Sequence, residues 1–535
     1  MSGDAGPGSG GSPGGGGGGS SATGSGGGSP TGSGGAMMGS GGAGTGGAGT
    51  DSMPGTGGTT PPASGASVTQ RGGDVGRTHH FVRAAMTKAR AVTMAVDATF
   101  NATYGNAIVS ATPVYLENGP GGKGAFFVGT QGNDFYAFDE TTGAQLWTTN
   151  AGAPGNGGCD GQGKGMMAAP AIDAASGTIF VAAANGPGLQ SFKVHAYSVN
   201  DGSERAGWPV DVGQVIGGGV DLSRQNQRGA LLLVNGILYV PLGGQNGDCA
   251  GARGRVVAID IADPTRTGSW STGDDGSTIW GQGGLASDGT AVFAITGNHF
   301  PNDTVPAVHA DSEEVVRLTG LAQLARSDQN IFYPSRWAAM DAGDLDFGSN
   351  SPVVFDVPGA MPVKYVAAPA KDGHLYFLDA ANLGGMGGEK IDLMVGQEGS
   401  SLFTAPAAYQ TTKGAYVVVN VSGAHCPTGS AAGGRATMGI SIAVNAGAIA
   451  PTVAWCAANG DATSPAVTTT DGRTDAIVWF ITGGALNGVD GDTGAMVYRG
   501  GDGVCNVQGW TAVIAAKGAR IVAASGSKLC SWSAM

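Results

Sequence analysis

Charge is scarce in this 535-residue chain: Asp, Glu, Lys and Arg make up 13% of it, against about a quarter in an ordinary soluble protein. Positive charge is scarcer still, with 27 Lys and Arg against 40 Asp and Glu, a formal net charge of -13 and no basic stripe. Phosphate recognition needs concentrated cations, so nucleic acids and anionic membrane surfaces are excluded as partners. Long apolar runs are missing too, and no stretch of about 18 apolar residues marks a transmembrane helix. No CxxC pair occurs, no His stands at ligand spacing beside a Cys, and apart from His79 and His80, which precede the repeats, the five remaining His are scattered without metal spacing. Nor does a G-x-S-x-G elbow fall between a strand and a helix.

Glycine is what the chain has instead, 102 residues of it, concentrated before position 75. Residues 1–75 are mostly Gly, Ser, Thr, Pro and Ala, with few aliphatic and no aromatic residues, too little apolar surface to offset the entropy of ordering. The expectation is a disordered Gly/Ser-rich linker over 1–75, tethering a folded domain over 76–535. Met1 opens directly into this tract without the basic and apolar regions of a signal peptide. The reading is a natural start upstream of Met1, or an upstream lipid-anchored Cys, and an extracytoplasmic location: periplasmic, outer-membrane-associated or secreted.

The cysteines are Cys159, Cys249, Cys426, Cys456, Cys505 and Cys530, an even set that favours disulfides over a metal site. Cys426 with Cys456, and Cys505 with Cys530, each fall within one repeat, while Cys159 and Cys249 lie in Gly-rich loops suited to a loop-to-loop staple. The alternative is six buried thiols in a cytosolic protein.

The repeat is clearest at 124–149, GAFFVGTQGNDFYAFDETTGAQLWTT: an apolar strand, a Gly-Asn turn, an alternating strand, an Asp-x-x-Thr-Gly turn and a strand carrying Trp147. Partial copies occur at 177–202, 236–260, 364–379 and 476–498. A small residue near Pro heads an apolar strand at Ser110, Ala168, Ser349, Thr404 and Thr463, with equivalents lacking Pro at Arg228, Gly281 and Gly509. The heads recur mostly every mid-fifties to about sixty residues, room for four strands and their loops. Eight units imply an all-β, eight-bladed β-propeller, or seven blades if the weak region 281–340 is irregular. The last unit has room for only three strands, so AVTMAVDA at 91–98 is expected to add the fourth and close the ring. The preceding segment, 77–90, reads as a short helix or an irregular entry.

The run Tyr136–Trp147 (YAFDETTGAQLW) is similar to the pyrroloquinoline-quinone (PQQ) repeat at Asp139, Thr142, Gly143 and Trp147; Asp379, Asp490, Thr493 and Gly494 match it more loosely. RQNQRGALLL at 224–233, IWGQGGL at 279–285, TGN at 296–298 and DAGDLDFGSNSP at 341–352 resemble segments of bacterial quinoprotein-like propellers. The resemblance covers about 77–535 and implies the propeller fold, while one fold carries many functions.

It leaves three functional alternatives. In quinoprotein dehydrogenases of alcohols or sugars, PQQ stacks on an axial Trp beneath a ring of adjacent cysteines, with a calcium ion and a catalytic Asp. This chain has no Cys-Cys dipeptide; Trp280 and Trp510 head inner strands and either face the axis or pack between blades. Calcium binding is the second alternative, at Asp341, Asp344 and Asp346 in a DxxDxDxG loop; otherwise these carboxylates cap a solvated turn. The third is a binding or scaffold module with no catalytic residues, as in propeller lipoproteins of outer-membrane protein assembly, taking a protein, peptide or polysaccharide on loops 151–166, 186–191, 243–253, 298–312 and 424–435. A ligand in the central funnel would meet Arg224, Gln225, Asn226, Gln227, Arg228, Trp280, Gln282, Asn350 and Lys371, unless Arg228 and Asn350 serve buried backbone groups between blades.

Overall fold

The computed structural model describes residues 65–535, apart from 106–107, 218, 246–248, 302–304, 321–323, 325–326, 400–403, 429–433, 502, 508 and 535. The linker expected over 1–75 therefore lies mostly outside the described residues.

Eight antiparallel sheets form an eight-bladed β-propeller. Their inner strands begin at Val114, Ala171, Leu232, Ala286, Val353, Ala407, Ala466 and Ile514, each a few residues past one of the eight heads. The blade at 286–333 is irregular: its inner strand is only Ala286–Ser287, and Gly385–Met386 joins its outer edge in parallel. It is nevertheless a blade, and the count is eight.

The repeat's residues do the work expected of them. Asp139 Oδ1 accepts from the amides of Thr141 (3.0 Å) and Thr142 (2.8 Å), closing the turn before the third strand gives way to the fourth. Trp147 packs on Phe127 and Phe135 between the first two blades, and its indole donates to Val199 O at 2.8 Å. Trp455 repeats this contact on Gly491 O at 2.9 Å between the sixth and seventh blades. Each inter-blade seam is filled by such side chains, so the core is a ring of apolar clusters rather than one centre.

Ring closure follows expectation. Met94–Val96 pairs antiparallel with Leu529–Ala534 as the outermost strand of the eighth blade. Only these three residues of 91–98 are strand, because Lys88–Ala91 turns as a short helix capped by Thr87.

The fold departs from expectation at 66–83, part of which was assigned to the linker. This segment circles the inside of the ring and meets the second residue of every inner strand. Carbonyls of Val68, Thr69, Val75, Gly76, Thr78 and His79 accept from the amides of Tyr115, Ile172, Ser287, Val354, Ala408 and Val467 at 2.7–2.9 Å. Gln70 Oε1 accepts from Leu233 N (3.1 Å), and Arg83 Nε donates to Ala515 O (2.9 Å). The inner edge of each blade would otherwise leave these backbone groups unpaired. The approach is close enough to require glycine: a Cβ on Gly76 would sit 2.3 Å from Val354 O. Arg77 and His79 hold positive φ, 60° and 50°, strain that the surrounding ring maintains.

Buried arginines lock this collar. Arg77, 1% exposed, donates to Leu285 O, Arg71 O and Leu231 O. Arg71, equally buried, reaches Thr112, Ser464 and the Trp510 carbonyl across 439 positions of sequence. The collar thus lines the inner strands of all eight blades, beside the strand heads.

Candidate functional site

Trp280 heads the fourth blade and is half-buried at the funnel. The Arg228 guanidinium from the third blade lies 5.1 Å from its ring centre and the Lys371 ammonium from the fifth 5.5 Å. Both distances allow cation–π attraction. Lys371 bonds Asp346 at 2.5 Å and reaches Asp344 at 3.5 Å. Burial opposes its charge, but the Asp346 carboxylate prevails and holds the ammonium above its ordinary pKa.

Asp346 is 4% exposed and organises the site. Its Oδ1 accepts from Trp280 Nε1 (3.4 Å) and from Asn298 N (3.2 Å), orienting the indole. The Gly of the TGN segment makes room for this: a Cβ on Gly297 would fall 2.6 Å from Asp346 Oδ1. Behind lies Glu313, fully buried, accepting from Phe347 N at 2.5 Å. Its Oε1 has no hydrogen-bond partner among the described residues. Burial first, then the carboxylates of Asp346 and Asp341, raise Glu313 well above the usual glutamate range.

The expected funnel set divides. Arg228, Trp280 and Lys371 come together. Gln282 and Asn350 are buried beside them, residue 281 lying against the Asn350 backbone. Arg224 instead pairs with Asp221 at 2.8 Å and with the Ala250 carbonyl. Gln225 and Asn226 form a short strand against Gly244 and Gly243, and Gln227 bonds Gly229 O, so these three serve the backbone. Trp510 is 41% exposed rather than packed between blades. Asp346 as the partner of Lys371, and Glu313, were missed as funnel groups. The pair Glu313–Glu314 ahead of an apolar strand was the available signal, but adjacent acids at a strand entry ordinarily face water.

The expected calcium triad does not assemble. Asp341 turns away to accept from His299 N and Ser312 Oγ, both at 2.8 Å; Asp344 takes a left-handed conformation ending the helix Trp337–Gly343; and Lys371 bridges Asp344 and Asp346. Among the described residues no group of three or more His, Cys, Asp or Glu is placed to hold a metal.

All three expected disulfides are formed: Cys159–Cys249, Cys426–Cys456 and Cys505–Cys530. They fit an oxidising, extracytoplasmic compartment. No helix among the described residues is long and apolar enough to cross a membrane.

No family model matches the chain, and no curated protein does. Solved structures do. The quinohemoprotein alcohol dehydrogenase from Comamonas testosteroni aligns with a TM-score of 0.58 at 15% identity, over 88% of this chain and 80% of that one. A quinohemoprotein alcohol dehydrogenase from Pseudomonas putida gives 0.60 at 12%, with the same coverage. The fold is that of a quinoprotein-like propeller. A europium-containing methanol dehydrogenase agrees, at 0.56 and 15% over 87% of this chain and 90% of that one. Identities this low speak to architecture alone.

The residues present suit one part of a quinone site and not another. An indole bordered by a guanidinium and an ammonium matches a flat, carboxylate-bearing ring. A divalent metal would meet the Lys371 ammonium between Asp344 and Asp346.

Proposed function

We propose that this chain is an extracytoplasmic β-propeller binding module whose funnel takes a flat, anionic ligand. The placement of Arg228 and Lys371 at the Trp280 ring carries the reading. The Arg228 guanidinium favours a carboxylate, Lys371 being already paired with Asp346, and the indole favours a planar body. The ligand would approach from the side that bears the strand heads, where Arg228, Trp280 and Lys371 lie. A protein, peptide or polysaccharide would meet the loops 151–166, 186–191, 243–253, 298–312 and 424–435, of which 246–248, 302–304 and 429–433 lie outside the described residues.

A second reading, a PQQ-dependent oxidoreductase of alcohols or sugars, draws support from the Asp346–Lys371 pair and the buried Glu313, whose pKa burial raises. PQQ would supply two-electron redox chemistry; Trp280, Arg228 and Lys371 would hold it, and Asp346 would hold or move a proton.

One titration tests both. Quenching of tryptophan fluorescence is followed with PQQ and with 2,6-naphthalenedicarboxylate, with and without calcium, alongside dye-linked oxidation of alcohols and sugars. Saturable quenching by either probe, weakened roughly tenfold or more in Lys371→Met and Trp280→Ala, supports the site. Dye reduction favours the second reading over the first. Absence of saturable quenching by both probes refutes the anionic site.

A further inference from the structure

The ammonium of Lys371 sits where oxygens of Asp344 and Asp346 converge. It lies 2.5 Å from Asp346 Oδ2, 3.5 Å from Asp344 Oδ1 and 3.4 Å from the Asp344 carbonyl oxygen. Two carboxylates and a main-chain carbonyl around one point, with water completing the shell, are donors that a hard divalent cation selects at about 2.3–2.6 Å. An ion at that distance from the same oxygens would overlap the ammonium, so the point takes one cation or the other.

The protein builds its own cation in. Lys371 leads the turn between the strands Lys364–Pro369 and His374–Asp379, and its amide donates to Asp346 O at 3.3 Å. The next residue, Asp372, is fully buried and accepts from Arg336 Nη2 (2.7 Å), Tyr376 Oη (2.6 Å) and His374 N (2.9 Å). A fixed turn therefore carries the lysine, whose side chain is only 14% exposed. Its partner needs it, because the Asp346 carboxylate, 5% exposed, would otherwise be a buried charge without a counter-ion. With Arg228 at the same indole, two cations meet two carboxylates, and the formal charges of Lys371, Arg228, Asp344 and Asp346 cancel. A dication added to this group would bring positive charge that nothing in it offsets.

We infer that Lys371 is the resident cation of the funnel site: it takes the place of a divalent metal and excludes one, so that a ligand of this site binds metal-free. The ligand's side of this rests on the binding reading above; the cation's side does not.

The test uses the full chain and two cations as probes, calcium by calorimetry and terbium by luminescence excited through tryptophan. The Trp280 ring, 5.5 Å from the Lys371 ammonium, is placed to sensitise an ion bound there. The native protein should show no calcium or terbium site that Asp346→Asn removes. Lys371→Met should gain one, in about the millimolar range or tighter for calcium, and lose it again when combined with Asp346→Asn. Lys371→Gln should repeat the gain, whereas Lys371→Arg keeps the charge and should gain none. At constant ionic strength, calcium should raise the melting temperature of Lys371→Met or Lys371→Gln and leave that of the native protein unchanged. Quenching of the native protein by 2,6-naphthalenedicarboxylate should be the same within about twofold in calcium and in EDTA. An Asp346-dependent calcium site in the native protein overturns the inference. So does a folded Lys371→Met or Lys371→Gln that gains no such site, or probe binding strengthened roughly tenfold by calcium. If the naphthalene probe fails to bind while the cation results hold, the exclusion of the metal stands and the binding reading falls.

Discussion

Arg77→Ala should destabilise the whole ring, although the residue lies in a segment whose local sequence resembles a linker. The guanidinium is 1% exposed and makes three bonds to carbonyls: Leu285 O at 2.8 Å, Leu231 O at 2.7 Å and Arg71 O at 2.6 Å. Hydrogen bonds to a charged group contribute about 1.5–3 kcal/mol each. Relief of the buried charge offsets part of their loss, leaving a net cost of about 3–5 kcal/mol, with three buried carbonyls left without their donor. At about 2 cal/mol/K per residue, a folded domain of this length has an unfolding entropy near 1 kcal/mol/K, so the melting temperature should fall by about 3–5 °C. Arg77→Lys keeps the charge but loses the planar fork and should fall by about half as much. Scanning calorimetry at one fixed scan rate supplies the first reading. Hydrogen exchange supplies the second, because the amides of Ser287, Val354 and Ala408 donate to the collar carbonyls flanking Arg77 and should lose protection first. The exposed Arg473→Ala serves as control. An Arg77→Ala protein melting within about 1 °C of the native one, with those amides still protected, would refute the collar as a structural lock.

Three further outcomes follow from the same geometry. Glu313 is raised in the folded state above its value in the unfolded chain, so its proton stabilises the fold at acidic pH, and that contribution is lost as pH rises from about 4.5 towards the folded value. Glu313→Gln should therefore melt above the native protein at pH 7 and lose that advantage near pH 4.5; a difference independent of pH contradicts the buried proton. Cys505→Ser with Cys530→Ser opens a loop of 25 residues' separation and should cost about 3 kcal/mol in denaturant titration; a midpoint and slope unchanged from native would speak against the staple. Deleting 91–98 removes the strand paired with Leu529–Ala534 and should yield aggregated protein by light scattering, whereas a monodisperse product of native stability would deny the closure.

The blades were legible because their signals are local. Alternating apolar residues, the Asp139 and Asp490 turns and the small-residue heads each act over a few positions, and the copies reinforce one another. The collar was not legible for the opposite reason. Val68, Gly76 and Arg77 acquire meaning only from partners elsewhere in the ring, and Arg71 bonds Ser464 across 393 positions. Glycines there looked like more linker, when Gly76 is needed for close approach to Val354 O. The site was half legible: Trp280, Arg228 and Lys371 sit at heads and turns that the repeat locates. DxxDxDxG has ligand-like spacing, yet the helix Trp337–Gly343 and the left-handed Asp344 at its end point Asp341 and Asp346 to different partners.

That mixture has a physical logic. Every charged group of the funnel site lies on the third, fourth and fifth blades, and the fourth is where the repeat is weakest, with a two-residue inner strand and many residues between Val292–Ile295 and Val315–Leu318. A strictly periodic ring would present eight equivalent heads and could not gather an indole, two cations and a buried acid on one side. Breaking the period at one blade costs pairing there, and it leaves Glu313, just ahead of the strand Val315–Leu318, to accept from Phe347 N. The collar compensates by satisfying the fourth blade's inner edge at Ser287 and by drawing Arg77 against Leu285 and Leu231. Local disagreement with the repeat thus marks where the scaffold has been adapted, and the lock that tolerates the adaptation comes from the one segment outside the repeat.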